Sequence, residues 1–406
     1  MSSKRIVQCC CCIAGGGPAG MMLGYLMARA GVETVVLEKH KDFLRDFRGD
    51  TVHPSTTQIM QDLGLLEEFL KVPHQKVDHL GGDFGGEKVT LVDFSQLKTP
   101  CPYIAFMPQW DFLNFIAEKG KLLPKLTILM EANVTALLHE SERVVGVQAE
   151  TPEGPMEVRA TLTVGADGRS STVRAAAGLV VEDEHAAIDV FWFRVEKNDA
   201  EMEGVSMHSN GGKFLITIDR QAYLQCAYVV NKGGAEEIHV RGLEAFRHDV
   251  AVAAPELRAS VNELAKWDDV KLLRVSVDRL IKWSAPGMLC IGDAAHTMSP
   301  VGGVGINLAV QDAVATANLL SVPLREGRLT DAMVEKVQAR RLWPAKVVQT
   351  FQGAVQKNLL KPALAGKLSK MPLIFRIASR SRWMQGMAAR FVGLGVRQER
   401  VRWKAF

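Results

Sequence analysis

The stretch Ile6-Val7-Gln8-Cys9-Cys10-Cys11-Cys12-Ile13-Ala14, followed by Gly15-Gly16-Gly17-Pro18-Ala19-Gly20, decides the fold. The uncharged run reads as a strand, the glycines as a tight turn, and the segment through Gly31 as a helix. A second strand, Thr34 to Leu37, ends at Glu38, 23 positions after Gly15. This β-α-β unit carries the dinucleotide-binding fingerprint. Gly15 permits the turn, Gly17 lets the backbone approach a pyrophosphate, and Gly20 allows close helix–sheet packing. The helix start offers free amides and a partial positive charge, and Glu38 can accept from a ribose hydroxyl.

Two downstream segments repeat the logic of strand, glycine turn and helix. Val164-Gly165-Ala166-Asp167-Gly168-Arg169-Ser170-Ser171-Thr172-Val173-Arg174 is one of them. The other runs from the strand-like Met288 to Asp293 through Ala294-Ala295-His296-Thr297-Met298-Ser299-Pro300 into Gly302-Gly303-Val304-Gly305-Ile306-Asn307 and a helix through Leu320. Asp293, at a strand end, can hold a ribityl hydroxyl, and the glycines bring backbone amides against a flat electron-rich ring.

With these motifs the chain resembles the class A flavoprotein monooxygenases, the para-hydroxybenzoate hydroxylase-like family, and most of all their ubiquinone-biosynthesis branch. The resemblance covers roughly residues 5 to 345 and rests on GGGPAG, DGRSSTVR and GDAAHTMSPVGGVGIN. It implies an α/β fold in which a Rossmann-like FAD-binding domain is interleaved with a mostly β substrate domain, with a helical region at the C-terminus. It implies FAD held by Gly15, Gly17, Pro18, Ala19 and Gly20 at the pyrophosphate and by Glu38 at the adenosine ribose. Lys39 and Asp167 join this set, as do Arg48 after the second strand and Gln109 at the start of the Trp110–Ala117 helix. Val134 matches the position beside adenine, Asp293 the ribityl ligand, and Pro300 with Gly303, Val304, Gly305, Ile306 and Asn307 the segment along the isoalloxazine. Val304 departs from the pattern, which often has Gln there; a side-chain contact is lost but backbone amides are not.

The implied activity is NAD(P)H-consuming hydroxylation of an aromatic or otherwise activated, apolar substrate by dioxygen, through a flavin hydroperoxide. NADPH or NADH binds transiently, in keeping with the absence of a second fingerprint. Substrate-orienting candidates are His53, Tyr223 and Gln225, the last two sharing one strand face; His296 reads as scaffold. The alternative is a flavin-dependent reductase of isoprenoid double bonds. A flavin halogenase would carry Trp-x-Trp-x-Ile-Pro, and none of the seven tryptophans lie two apart.

Composition suits a large enzyme, with 406 residues, 47% hydrophobic and 23% charged. The expected location is cytoplasmic, because no apolar run is long enough to span a membrane and the apolar start flows straight into the phosphate loop. Cys9 to Cys12 alternate faces of a strand and cannot converge on a metal, so they read as core. The expected division is an FAD-binding domain in three parts, 1–76, 106–184 and 281–350, a substrate sheet in two, 77–105 and 185–280, and a basic helical region, 351–406. A helix is expected over Ser55–Leu70, another over Gly242–Val252, and a strand over Leu272–Asp278. From Val355 onward twelve Lys or Arg face one acid, Glu399, so this region carries +11 and the rest of the +4 chain −7. Leu373, Ile377, Met384, Met387 and Phe391 recur near helical spacing beside arginines. Such a segment either lies on an anionic membrane surface or docks on the body with its arginines solvated. No base-reading module is present, so nucleic acid is not an expected partner.

Overall fold

In the computed structural model, which describes residues 5–44, 50–84, 87–183, 186–197, 204–367 and 373–402, the fingerprint opens a parallel sheet. Strand Arg5–Ala14 lies between Thr34–Leu37 and Gly154–Gly165, with Leu126–Leu129 outside the former and Met288–Cys290 outside the latter. Register levels their C-terminal ends: Ala14 sits opposite Leu37 and Gly165, Leu37 opposite Leu129, and Gly165 opposite Cys290. The chain therefore leaves five strands along one edge, where open α/β sheets bind ligands. The two antiparallel strands Asn133–Glu140 and Arg143–Thr151 extend this sheet.

Cys11 and Cys12 are fully buried, while Cys9 and Cys10 are half-buried. Burial, with Cys10 and Glu33 nearby, pushes the Cys9 thiol up to about 12. Helix α1, Pro18–Arg29, buries every residue from Ala19 to Ala28. It lies close on the sheet because Gly24 has no side chain; a Cβ there would stand 2.6 Å from Val36 Cγ2.

The Ser55–Leu70 segment is two helices, α2 (Pro54–Asp62) and α3 (Leu66–Phe69), rather than one. Gly64 adopts φ +71°, its N–H bonds to Gln61 O and that of Leu65 to Met60 O, closing α2 in a Schellman motif. Helices α4 (Gln109–Lys121) and α5 (Thr172–Ala176) follow farther along the chain.

The second sheet has seven strands among the described residues, in the order Lys271–Leu273, Ile188–Glu196, Tyr223–Asn231, Lys213–Asp219, Val205–Asn210, His79–Phe84 and Glu87–Asp93. Its outer face packs Phe191, Phe193 and Tyr228 on Phe246 of α6 (Ala235–Ala253). Truncating Phe246 to Ala would cost about 3–5 kcal/mol. Helix α6 begins earlier than Gly242, which lies inside it as a kink at φ +86°. The Leu272–Asp278 strand splits, because Val275 N donates to the Asp189 carboxylate at 2.9 Å; Asp278–Leu280 then pairs with Val181–Asp183 instead.

Helices α7 (Gly305–Arg325) and α8 (Asp331–Val355) return to the first sheet. Beyond a π-helical turn come α9 (Lys361–Leu364), α10 (Leu373–Arg380) and α11 (Arg382–Leu394). Helix α11 docks on the body: Ala389 and Val392 are buried with Phe94 and Phe106, and Gln385 Nε2 donates to Thr90 O at 3.1 Å. Farther on, Arg400 pairs with Asp62 of α2.

Candidate active site

Three of the glycines ending the first strand meet different surroundings. Gly15, at φ +105°, lies against the Ala166 carbonyl. Gly20 lies against the Gly15 carbonyl, so the helix cannot move outward to admit a methyl. Gly17 caps α1 without any side-chain cap, and a Cβ there would find no atom within 4 Å. Pro18 sets the first helical φ, and Ala19 stands against Gly292.

Glu38 is buried, with Oε2 accepting from Gly16 N at 2.8 Å and Oε1 from His40 N at 3.0 Å. Lys39 is exposed. Ala132 N donates to Glu38 O at 2.9 Å, which brings the turn before Val134 beside this strand end; Val134 is buried. Arg48 lies outside the described residues.

At the neighbouring strand ends, the Asp167 carboxylate accepts from Ser171 Oγ at 2.5 Å and Val173 N at 3.2 Å, fastening the start of α5. Asp293 stands 3.9 Å from Arg169, its side chain 40% exposed. Beneath it lies a buried network that sequence reading did not find. Asp312 of α7 accepts from Gly292 N at 3.1 Å, pairs with His296 Nε2 at 2.6 Å, and accepts from Arg341 Nε at 2.9 Å. Burial pushes the Asp312 carboxyl up, but His296 and Arg341 together hold it below the usual range. His296 is thus a scaffold residue, tied to Asp312 and packed on Trp283 with ring centroids 5.0 Å apart.

The Ser299–Val301 turn hangs from α8. Gln352 Nε2 donates to the carbonyls of Ser299 and Val301, each at 2.8 Å, and Gln356 Nε2 to Ser299 Oγ at 2.8 Å. Pro300 is half-buried here. Gly302 and Gly303 have φ +81° and +62°, and Gly303 O accepts from Thr51 Oγ1 at 2.6 Å. Helix α7 starts without a side-chain cap, with open space at Gly305. Ile306 is buried, and Asn307 Oδ1 accepts from Thr56 Oγ1 at 3.0 Å and from Ser55 Oγ, so that side-chain oxygen is committed to α2. Val304 borders the apolar cluster that contains Ile218 of the second sheet.

His53 corrects its expected role. It is fully buried, with Nε2 2.9 Å from Gly303 O and Nδ1 3.0 Å from Val392 O, leaving no nitrogen for a substrate. A neutral ring can donate to only one of these carbonyls. Burial nevertheless outweighs both, bringing the imidazole down to about 4. Tyr223 is half-buried, and buried Gln225 accepts from Arg220 Nε at 2.8 Å. Arg220 also pairs with Asp50, both nearly buried, and lies 5.5 Å over the Phe106 ring. Burial raises the Asp50 carboxyl, opposed by Arg220, Gln225 and the main chain of Gln109. On the same sheet face as Tyr223 and Gln225, Trp192 stands opposite Ala227 with a buried Nε1 that has no partner among the described residues.

These residues fit FAD. Gly17 and Gly305 face open space at two uncapped helix starts, and the carboxylates of Glu38 and Asp293 lie along the same sheet edge. A fingerprint sheet, a second glycine-rich helix start and an interleaved antiparallel sheet define a two-domain flavin-dependent oxidoreductase. A family model described as FAD binding domain matches residues 8–350, and the chain belongs to that family. It is 31% identical over 326 residues to a 6-methylpretetramide 4-monooxygenase of Streptomyces rimosus, covering 80% of this chain and 78% of the relative. Identity is 30% to a 12-dehydrotetracycline 5-monooxygenase/anhydrotetracycline 6-monooxygenase of the same species, covering 73% of this chain but only 59% of that longer protein. Among solved structures, the probable FAD-dependent monooxygenase PqsL of Pseudomonas aeruginosa shares the fold at TM-score 0.74 and 22% identity, covering 89% of this chain and 100% of its own. The chain is an FAD-dependent monooxygenase of the para-hydroxybenzoate hydroxylase-like class. The relatives named here lend no support to the ubiquinone-biosynthesis branch.

Proposed function

We propose that the protein hydroxylates a bulky apolar aromatic compound, such as a prenylated phenol or polyketide, using dioxygen and NAD(P)H. The observation that carries this reading is the levelling of the first sheet's strand ends together with the Pro300–Asn307 turn, whose Val304 lies in one apolar cluster with Ile218 of the second sheet. Bound FAD supplies electron transfer from NAD(P)H and activation of dioxygen. Gly15, Gly17, Pro18, Ala19 and Gly20 receive the pyrophosphate, Glu38 the ribose and Asp293 the ribityl chain. Lys39, Arg48, Gln109, Val134 and Asp167 complete that shell, and Pro300 through Asn307 line the ring. Tyr223, Gln225 and the Trp192 indole N–H, which has no partner among the described residues, supply polar contacts on an otherwise apolar roof. The resemblance to a 6-methylpretetramide 4-monooxygenase supports an aromatic polyketide-like substrate.

In this reading residues 1–76, 106–184 and 281–350 hold FAD, 77–105 and 185–280 cover the substrate, and 351–406 close the molecule. The basic C-terminal region makes peripheral contact with an anionic membrane surface.

The test is oxidation of NADPH and NADH by the purified yellow protein, with dissolved oxygen followed across phenols, quinone precursors and polyketides. Substrate-stimulated oxygen uptake and a product heavier by one oxygen atom are expected. Substrate reduction without oxygen uptake would replace this reading with a double-bond reductase. Asp293→Ala should purify without flavin; full flavin content would remove Asp293 from the site.

A further inference from the structure

We infer that the outer face of α10 and α11 is a docking surface for an anionic lipid bilayer, through which a lipid-dissolved substrate reaches the enzyme. Ile377, Trp383 and Met387 are exposed by 53%, 70% and 52%, although each is large and apolar. Trp383, Met387 and Arg390 follow at i, i+4 and i+7 on α11, opposite the stripe of Gln385, Ala389 and Val392 that faces the core. Around them stand Arg376, Arg380, Arg382 and Arg390, and positions 373–398 contain no acid. An exposed tryptophan ringed by arginines matches both layers of a bilayer interface: apolar side chains enter the acyl boundary while guanidinium groups meet phosphate.

The charge pattern argues against a second copy of the chain as the occupant. A two-fold contact would set this face on itself, arginine against arginine, with no carboxylate in positions 373–398 to offset the repulsion.

The same helix reaches the site from behind. Ala389 and Val392 lie in one apolar cluster with Val304 and Ile218, and the Val392 carbonyl meets His53, whose other nitrogen faces Gly303 O. A compound leaving the bilayer at α11 is therefore one helix away from the turn proposed to line the ring. This part of the inference rests on the reading that the substrate is apolar.

The test uses the full-length flavoprotein and vesicles of phosphatidylcholine alone or mixed equally with phosphatidylglycerol. Cosedimentation is expected with the mixed vesicles only, weakening with salt. Arg382→Gln with Arg390→Gln should lower vesicle affinity about twenty-five-fold, near fivefold per arginine. Trp383→Ser with Met387→Ser should weaken binding at least tenfold and abolish any blue shift of tryptophan emission on vesicles. Retained flavin absorbance in these variants shows the fold intact, since all four side chains are exposed. Equal binding to neutral vesicles, or variants that bind like the parent, would overturn the inference. So would variants that change only the oligomeric state by light scattering. Binding is read without turnover, so it stands or falls separately from the oxygen-uptake result.

Discussion

At the scale of single residues, the glycine turn after the first strand separates what the fold needs from what the proposed cofactor contact needs. A methyl on Gly20 would strike the Gly15 carbonyl, whereas one on Gly17 would project into open space. Gly20→Ala should lower stability by about 1–3 kcal/mol, the range for overpacking, and lose FAD as a consequence. Gly17→Ala should keep its urea midpoint and weaken FAD binding at least tenfold, about 1.4 kcal/mol, measured by flavin titration of the apoprotein. Equal loss of stability in both would show that Gly17 has a packing role. His53 gives a pH signature. Its folded value of about 4 lies below the usual 6.5, so the unfolded chain binds the proton more readily between those values. Stability is complete above pH 6.5, declines as pH falls toward 4, and stands about 2 kcal/mol lower at pH 5 from this residue alone. His53→Gln, whose amide can still donate toward Gly303, should lack that increment between pH 7 and 5 in urea unfolding. These glycines could be read from spacing alone. His53 could not, because the carbonyls that hold it come from positions 303 and 392, 250 and 339 residues away.

At the scale of elements, most strands follow from uncharged runs, and Thr34–Leu37 has the bounds its sequence indicates. The misread helix at Ser55–Leu70 had its signal in Gly64, where only a left-handed residue lets α2 stop and α3 restart. The split strand had no local signal, since a distant Asp189 takes the amide of Val275. The Asp312 network is equally silent in sequence. The aspartate's partners His296 and Arg341, and Glu399 beside Arg341, come from a turn, α8 and the C-terminal segment, and look like ordinary polar residues until folding brings them together. It ties α7 and α8 beneath the Gly292–Asp293 turn. Asp312→Asn leaves Arg341 buried opposite a neutral amide, with Glu399 at 3.6 Å as its remaining carboxylate, and should cost about 1–3 kcal/mol at pH 7. Because the folded carboxyl is held below its usual value, the ionised form contributes fully above about pH 4–5 and is lost as pH falls through the lowered value. The difference between parent and variant in denaturant midpoint should therefore narrow on acidification toward pH 3. A gap constant with pH would mean that the asparagine disrupts packing rather than charge.

At the scale of the whole molecule, the two sheets meet where Asp50, from the first domain, pairs with Arg220 at the end of a second-sheet strand. Gln225 and the main chain of Gln109 join them from either side. Interleaving was legible, because glycine motifs and β patterns alternate along the chain. The junction was not, since an arginine at a strand end and an aspartate in a loop are common surface residues whose burial only the assembled fold reveals. Removing Arg220 leaves Asp50 buried without its cation, and the carboxyl, already raised by burial, rises further. Arg220→Met should thus destabilise by about 3–5 kcal/mol at pH 7, with much of the loss recovered in Asp50→Asn/Arg220→Met, where no lone charge remains. Since the pair ties the loop before Thr51 to the second sheet, proposed above to cover the substrate, the double variant should still bind FAD. Its loosened roof should divert NAD(P)H oxidation toward hydrogen peroxide, raising the ratio of peroxide to hydroxylated product severalfold. Restored stability with an unchanged ratio would assign the pair to folding alone, and a double variant no more stable than Arg220→Met would show that the arginine acts through its stacking on Phe106 rather than through its charge.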